Sequence, residues 1–280
     1  WSSDVCSSDL SSSFSYEIHP SYSAFYLIIV LAYLVVSVIQ ERPVFSRRIV
    51  TFILFFWFSI IIFLLASKAG LLCYGLLLFF ALAYYLYKKR NFRWVFIISI
   101  SLLLVMAAIS FWNPVPVQRI KNSFAASSIP EEQLFRMHGA SIESNVVRRM
   151  IWICGVEVIR ENAWGVGSGD ANAVLMKKYE EKGMTGAIAK EFNAHSQFLQ
   201  TTIALGILGG VFLLSLFFVF IINAVKSKNV LLFVFLIFTL LNLLVESMFE
   251  TESGIVFIFL FLCFLYVDTE KLPKFKRSLY

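Results

Sequence analysis

Long uninterrupted stretches of apolar side chains decide what this chain can become. They fall at about 24–39, 49–66, 69–87, 94–112, 201–223, 230–246 and 253–267. A helix needs roughly 17–25 such residues to cross a bilayer. The first, sixth and seventh runs are short and need flanking residues or a locally thin membrane. Inside lipid, only helices and closed barrels satisfy all of their own backbone groups. The period-two alternation of barrel strands is absent from the sequence. The expected fold is therefore all-α, a polytopic transmembrane bundle of about seven spans. Composition agrees, with 59% hydrophobic residues, 15% charged residues and 30 Phe. A soluble domain carries roughly 45–50% apolar and about 25% charged residues. The same figures exclude a disordered tail, a collagen-like repeat and a disulfide-stapled mini-domain.

Charge orients the spans. Basic residues cluster in the turn at 40–48 (Arg42, Arg47, Arg48), at 88–93 (Lys88, Lys89, Arg90, Arg93), at 224–229 (Lys226, Lys228) and in the tail (Lys271, Lys274, Lys276, Arg277). With seven spans all four clusters fall on one face, which the positive-inside bias makes cytoplasmic. The short segments on the other face hold a single basic residue, Lys68, beside Glu17, Glu246, Glu250 and Glu252. This asymmetry accounts for most of the net charge of +6 without nucleic acid as a partner.

The segment 113–200 then becomes a long extracytoplasmic loop, nearly neutral with ten basic and nine acidic residues. Asn113-Pro-Val-Pro116 stops the preceding helix. Residues 144–161 have a helical period, with Val146, Val147, Met150, Ile151, Cys154 and Val158 on one face. Arg148 and Trp152, four apart, project together. Gly165, Gly167 and Gly169 break that helix into a tight loop, and a second short helix is expected over 171–182. A loop this long between helices usually carries function.

The expected organisation has five parts. Residues 1–10, WSSDVCSSDL, read as non-native adapter-like sequence. Residues 11–112 hold four transmembrane helices, 113–200 the extracytoplasmic loop, 201–267 three transmembrane helices and 268–280 a basic cytoplasmic tail. Cys6, Cys73, Cys154 and Cys263 show no metal or disulfide spacing.

Few residues offer chemistry. Gly165-Val-Gly-Ser-Gly169 lacks the spacing of a dinucleotide loop and follows no strand. No Asp-x-Asp pair exists for a metal–diphosphate clamp, and His19, His138 and His195 fit no metal site. No metal and no cofactor is expected. Lys68, in Ser67-Lys68-Ala69-Gly70, is either a turn residue snorkelling to water or a cation facing an anionic lipid headgroup. His195 lies just before the fifth span and is either a polar helix-entry residue or a catalytic group. Glu246 and Glu250 frame the outer end of the sixth span, four apart on one helical face, as a solvated acidic turn or as part of a site.

These elements together resemble the O-antigen ligase and polymerase family. Its shared pattern is an Arg followed four later by Trp, a helix, Gly-x-Gly, a His-Asn-x-x-Leu motif and Gly-Ile-x-Gly. Here these read Arg148…Trp152, Gly165-Val-Gly167-Ser-Gly169-Asp170, His195-Ser-Gln-Phe-Leu199 and Gly206-Ile-Leu-Gly209. Ser67-Lys68-Ala69-Gly70 is similar to the family's Ser-Arg-Gly element, Ile18-His19-Pro20-Ser21-Tyr22 to the His-Pro-Thr-Tyr entry of one subgroup, and Glu246-Ser-Met-Phe-Glu250 to that subgroup's acidic turn. Two departures stand out. Ser196 replaces an Asn, and Lys68 replaces an Arg, which turns a bidentate contact into a point charge. Family members have about a dozen spans, so the chain reads as a C-terminal part.

The resemblance implies a metal-independent glycosyltransferase in the bacterial inner membrane, with its active site facing the periplasm. The donor would be a glycan on undecaprenyl diphosphate, and the acceptor a hydroxyl of lipid A–core or, for a polymerase, of another glycan. His195 would be the general base, since a neutral imidazole suits that role. Lys68 and Arg148 would supply fixed cations to the leaving diphosphate. Trp152, Gly167, Asp170, Glu246 and Glu250 would line the substrate site, with Trp152 stacking on a sugar ring unless it packs against the bundle, the more common role, and either glutamate orienting the imidazole or binding acceptor hydroxyls. A lipid-linked-glycan flippase is the reading from another class. Against it, the sequence shows no internal repeat, and its polar residues sit at the outer ends of the spans.

Overall fold

A computed structural model describes residues 20–40, 48–87, 129–135 and 144–275. The adapter-like start, His19, the expected span at 94–112, the Asn113–Pro116 stop, His138 and the end of the tail lie outside them. Among the described residues every regular element is helical and none is a strand. The chain divides into two compact units, residues 3–121 and 122–280, each described here by itself.

In the first unit, α1 (Pro20–Ile39) packs against both α2 (Arg48–Leu64) and α3 (Lys68–Tyr87). Proline occupies the first position of α1, where its missing N–H has no helical partner to lose. Ala24, Phe25, Ile28, Leu31 and Ala32 form the buried stripe of α1, at the spacing of one helix face. The opposite faces carry exposed Tyr33, Phe52, Trp57 and Phe79. Ser67 caps α3, its Oγ accepting the Gly70 N–H at 3.2 Å. A methyl group on Gly70 would stand 2.7 Å from the Ala24 side chain. Small residues therefore let α3 approach α1 closely, as membrane helices do.

The second unit combines two kinds of structure. Three apolar helices, α8 (Gln197–Lys226), α9 (Val230–Val245) and α10 (Glu252–Phe275), pack in sequence order. Beside the start of α8 lies a helical cap. It consists of the single turn α4 (Glu131–Leu134), α5 (Ser144–Glu161), α6 (Ala171–Glu181) and α7 (Thr185–Ala189). The face of α5 read from the sequence is buried at Val146, Met150, Ile151, Cys154 and Val158. These residues share a core with Leu175, Tyr179, Met184 and, from α8, Ile203. On the surface of the cap, Lys178 binds Glu161 and Glu181, and Lys182 binds Glu157.

Helix α8 is broken at Gly206, whose φ of 73° and ψ of −178° lie in a region that is essentially glycine-only. The loop after α5 fills the break. Val166 N–H donates to the Ile203 carbonyl at 3.0 Å and Gly167 N–H to the Ala204 carbonyl at 2.9 Å. In return Ile207 N–H donates to the Ala163 carbonyl at 3.0 Å. Groups released by the kink thus find partners, which they need beside lipid. The crossing is so tight that a methyl group on Gly165 would lie 2.4 Å from the Gly206 nitrogen.

By length and composition, Pro20–Val38 and Gln197–Lys226 are long and apolar enough to cross a membrane. Ile49–Leu64, Lys68–Ala83, Val230–Val245 and Glu252–Val267 are apolar but shorter. The helices coincide with the apolar runs of the sequence, but the count of seven spans is not established by them.

Replacing Gly206 with Ala combines an unfavourable backbone region with overlap on the Trp164 carbonyl. The expected cost is at least about 1–3 kcal/mol, read as a lower thermal midpoint of the detergent-solubilised protein. Gly169, with open space around its Cβ position, is the control. Its Ala variant should change stability by under about 1 kcal/mol.

Candidate active site

Three distant segments meet at one carboxylate. Glu246 is the first residue beyond α9, in extended conformation, and its side chain is only 8% exposed. A charge this secluded is costly unless it is partnered. Its Oε1 accepts a hydrogen bond from Arg148 Nη2, on α5, at 2.5 Å. Its Oε2 stands 3.8 Å from His195 Nδ1, in the turn before α8. That is an ion-pair separation and longer than a hydrogen bond. Nδ1 thus faces the carboxylate, leaving Nε2 as the imidazole nitrogen for another partner. About a quarter of the Arg148 and His195 side chains is exposed.

The turn that presents His195 is built by its neighbours. His195 has a φ of 44°, uncommon for a residue other than glycine. Asn193 Oδ1 accepts the His195 N–H at 3.0 Å, an Asx turn that stabilises this backbone. Phe192 packs edge-on to the imidazole with ring centroids 5.0 Å apart. The buried Gln200 accepts the Ala194 N–H at 3.0 Å and donates to Asn172 Oδ1 at 2.9 Å, tying the turn to α6. Gln197 accepts the Phe249 N–H at 2.7 Å, tying α8 to the turn that follows Glu246. None of Phe192, Asn193, Gln197 or Gln200 is singled out by the sequence reading. The available signal was two glutamines, three apart, at the entry to a long apolar helix.

The other expected site residues fall elsewhere. Lys68 is the first residue of α3, half exposed, and belongs to the other unit. Trp152 packs against the core of the cap, with its Nε1 buried and lacking a hydrogen-bond partner. Gly167 uses its N–H on the Ala204 carbonyl, and Gly165 and Val166 likewise donate to carbonyls, so this loop presents no row of free N–H groups to a phosphate. Asp170 is exposed at the start of α6 and makes no capping bond from its side chain.

Glu250 corrects the sequence reading. Glu246 and Glu250 do not share a helical face, because α9 ends at Val245 and Glu250 sits in a 3₁₀ turn, Met248–Glu250. The chain must reverse within five residues before Thr251 Oγ1 accepts the Gly254 N–H at the start of α10. A continued helix would leave no chain for that reversal. Glu250 is exposed as a residue, but neighbouring atoms partly shield its carboxyl from water, and that desolvation raises it above its ordinary value. Beneath the site, burial and then the nearby Glu157 push the Cys154 thiol up to about 12, which makes it unfit as a nucleophile. Among the described residues, no group of three His, Cys, Asp or Glu is arranged to hold a metal.

The Gln200 clamp is testable without a substrate. Gln200→Leu strands the Ala194 N–H in the interior and should cost about 1–3 kcal/mol in thermal unfolding. Asn172→Ala, at the exposed end of the same clamp, should cost less than Gln200→Leu. The reverse order would show that the clamp does not hold the turn.

No match is found among curated proteins. The sequence profile described as O-antigen ligase matches residues 52–214, more than half of the chain. The matched stretch runs from α2 through Lys68, Arg148 and His195 into α8, and stops short of Glu246. With this match, the chain belongs to the O-antigen ligase family, whose members are membrane-associated, glycosyltransferase-like enzymes acting on lipid-linked glycans and their acceptors.

Proposed function

We propose that the chain transfers a glycan from undecaprenyl diphosphate to an acceptor hydroxyl on lipid A–core, without a metal, at the periplasmic face of the inner membrane. The observation that carries this reading is Glu246 held between Arg148 and His195. A carboxylate facing Nδ1 supports an imidazole that takes a proton at Nε2. In the reaction the acceptor hydroxyl attacks the anomeric carbon, and its proton passes to His195. The bond from that carbon to the diphosphate oxygen breaks, and the leaving lipid diphosphate keeps the electron pair. Glu246 faces the charge that develops on the imidazole. Arg148 fixes Glu246 through one of its five N–H donors, and the others are suited to the diphosphate. Lys68, which the family resemblance assigns to the same leaving group, belongs to the other unit.

The test is transfer from purified lipid-linked donor to acceptor. His195→Ala should lower turnover about 10²–10⁴-fold, with thermal stability little changed. Glu246→Gln should also lower turnover, and His138→Ala should leave it unchanged. Normal turnover in a folded His195→Ala protein would remove His195 from the mechanism. The acceptor is read from cells lacking the gene. Uncapped lipid A–core with accumulated lipid-linked polymer supports the ligase assignment, whereas cores bearing single repeat units would make the enzyme a polymerase.

Orientation is tested separately with an impermeant thiol reagent on spheroplasts. Two single-cysteine proteins are compared, Glu180→Cys on α6 and Phe275→Cys at the end of α10. Labelling of the α6 position alone is expected. Labelling of the α10 position alone would reverse the topology and overturn the periplasmic assignment.

A further inference from the structure

Trp164 is 84% exposed although its loop is bonded to the break in α8 on both sides. Its own carbonyl carbon lies 2.5 Å from where a Gly206 Cβ would be, and the loop on either side is bonded to the break in α8. The indole is therefore held by backbone on a rigid support and packed against little.

Its surroundings change character across the loop. On one side, α5 ends in exposed Arg160 and Glu161, the latter paired with Lys178. On the other side, Leu205, Ile207, Leu208, Val211 and Phe212 are all exposed on α8. No charged residue occurs between Gly206 and Lys226. The 20 residue steps from Gly206 to Lys226 rise about 30 Å in a helix, the thickness of the hydrocarbon core. At the far end Lys226 and Lys228 are exposed. The lipid-crossing part of α8 thus runs from the break to the basic turn, and Trp164 stands at its upper limit. An amphipathic indole at that level fits the boundary between headgroups and acyl chains.

We propose that Trp164 is a membrane-interface anchor whose partner is the lipid at the headgroup–acyl boundary. It fixes the depth of the loop and, through the loop's bonds, the depth at which α8 breaks. His195 lies 11 positions before Gly206 on the same chain, so its turn is referenced to that level. The proposal rests on the family's membrane association and is independent of the role assigned to His195.

The experiment compares wild-type protein with Trp164→Phe in nanodiscs of phosphatidylcholine. The lipid is unbrominated, brominated high on the acyl chain, or brominated near the chain ends. The difference spectrum isolates Trp164 from the other tryptophans. A component quenched most by the shallow bromine and lost in Trp164→Phe is expected. If the component is quenched by soluble acrylamide and by neither brominated lipid, the indole stands in water and the proposal falls. If nothing quenches it, protein covers the indole and the proposal falls equally. Thermal unfolding confirms that both proteins are folded. None of these outcomes depends on transferase activity, so failure here leaves the catalytic reading untouched, and failure of that reading leaves this one.

Discussion

A helix broken in a buried place releases carbonyl and amide groups that have no water to turn to. The arrangement of the second unit follows from how α8 meets that demand. The loop at 163–167 enters the break and exchanges three hydrogen bonds with it. The two glycines that meet there admit no side chain. Because that loop directly follows α5, filling the break also docks α5 against the upper half of α8, where Ile203 joins the core of the cap. Arg148 and His195, on elements brought together by this docking, can then reach the same carboxylate.

Glu246 gives the site its electrostatic logic. It sits between one permanently charged partner and one that changes charge with its proton. Arg148 offsets the cost of secluding the carboxylate. The Oε2 edge is the one that faces the imidazole. The leaving diphosphate brings its own negative charge, so the remaining N–H groups of Arg148 have complementary work in the proposed reaction.

Much of this was legible from one-dimensional pattern. Apolar runs marked the long helices, since lipid imposes length and composition directly. The helical period at 146–158 located the buried face of α5, and family motifs marked Arg148, His195 and the glycines. What was hidden depends on tertiary contact. Gly167 read as part of a substrate site, and only the fold shows its N–H and that of Val166 occupied by α8, and that of Gly165 by Asn162. Glu246 and Glu250 looked equivalent, four apart in sequence. They differ because the chain must turn between α9 and the cap of α10, which sends one carboxylate inward and leaves the other exposed. Gln200 and Gln197 carried no recognisable motif, because a clamp is defined by the groups it joins. Glu246 lies outside the segment matched by the family profile; the sequence offered it and Glu250 alike to orient the imidazole, and the fold puts Glu246 between Arg148 and His195.

The break at Gly206 also separates two mechanical demands that an unbroken α8 would have to satisfy together. In a continuous helix, each inserted residue turns everything beyond it by about 100° and lifts it about 1.5 Å. A change of tilt in a thicker or thinner bilayer would be passed on in the same way. Here the upper segment is indexed to the cap through Ile203, Gln200 and the loop bonds, and the lower, largely exposed apolar segment is tied to the same loop at its first residue, Ile207. The glycine resets the helical phase between them. A change of length further along the lower segment is thereby kept from the segment next to His195, which holds its register with the partners that orient it.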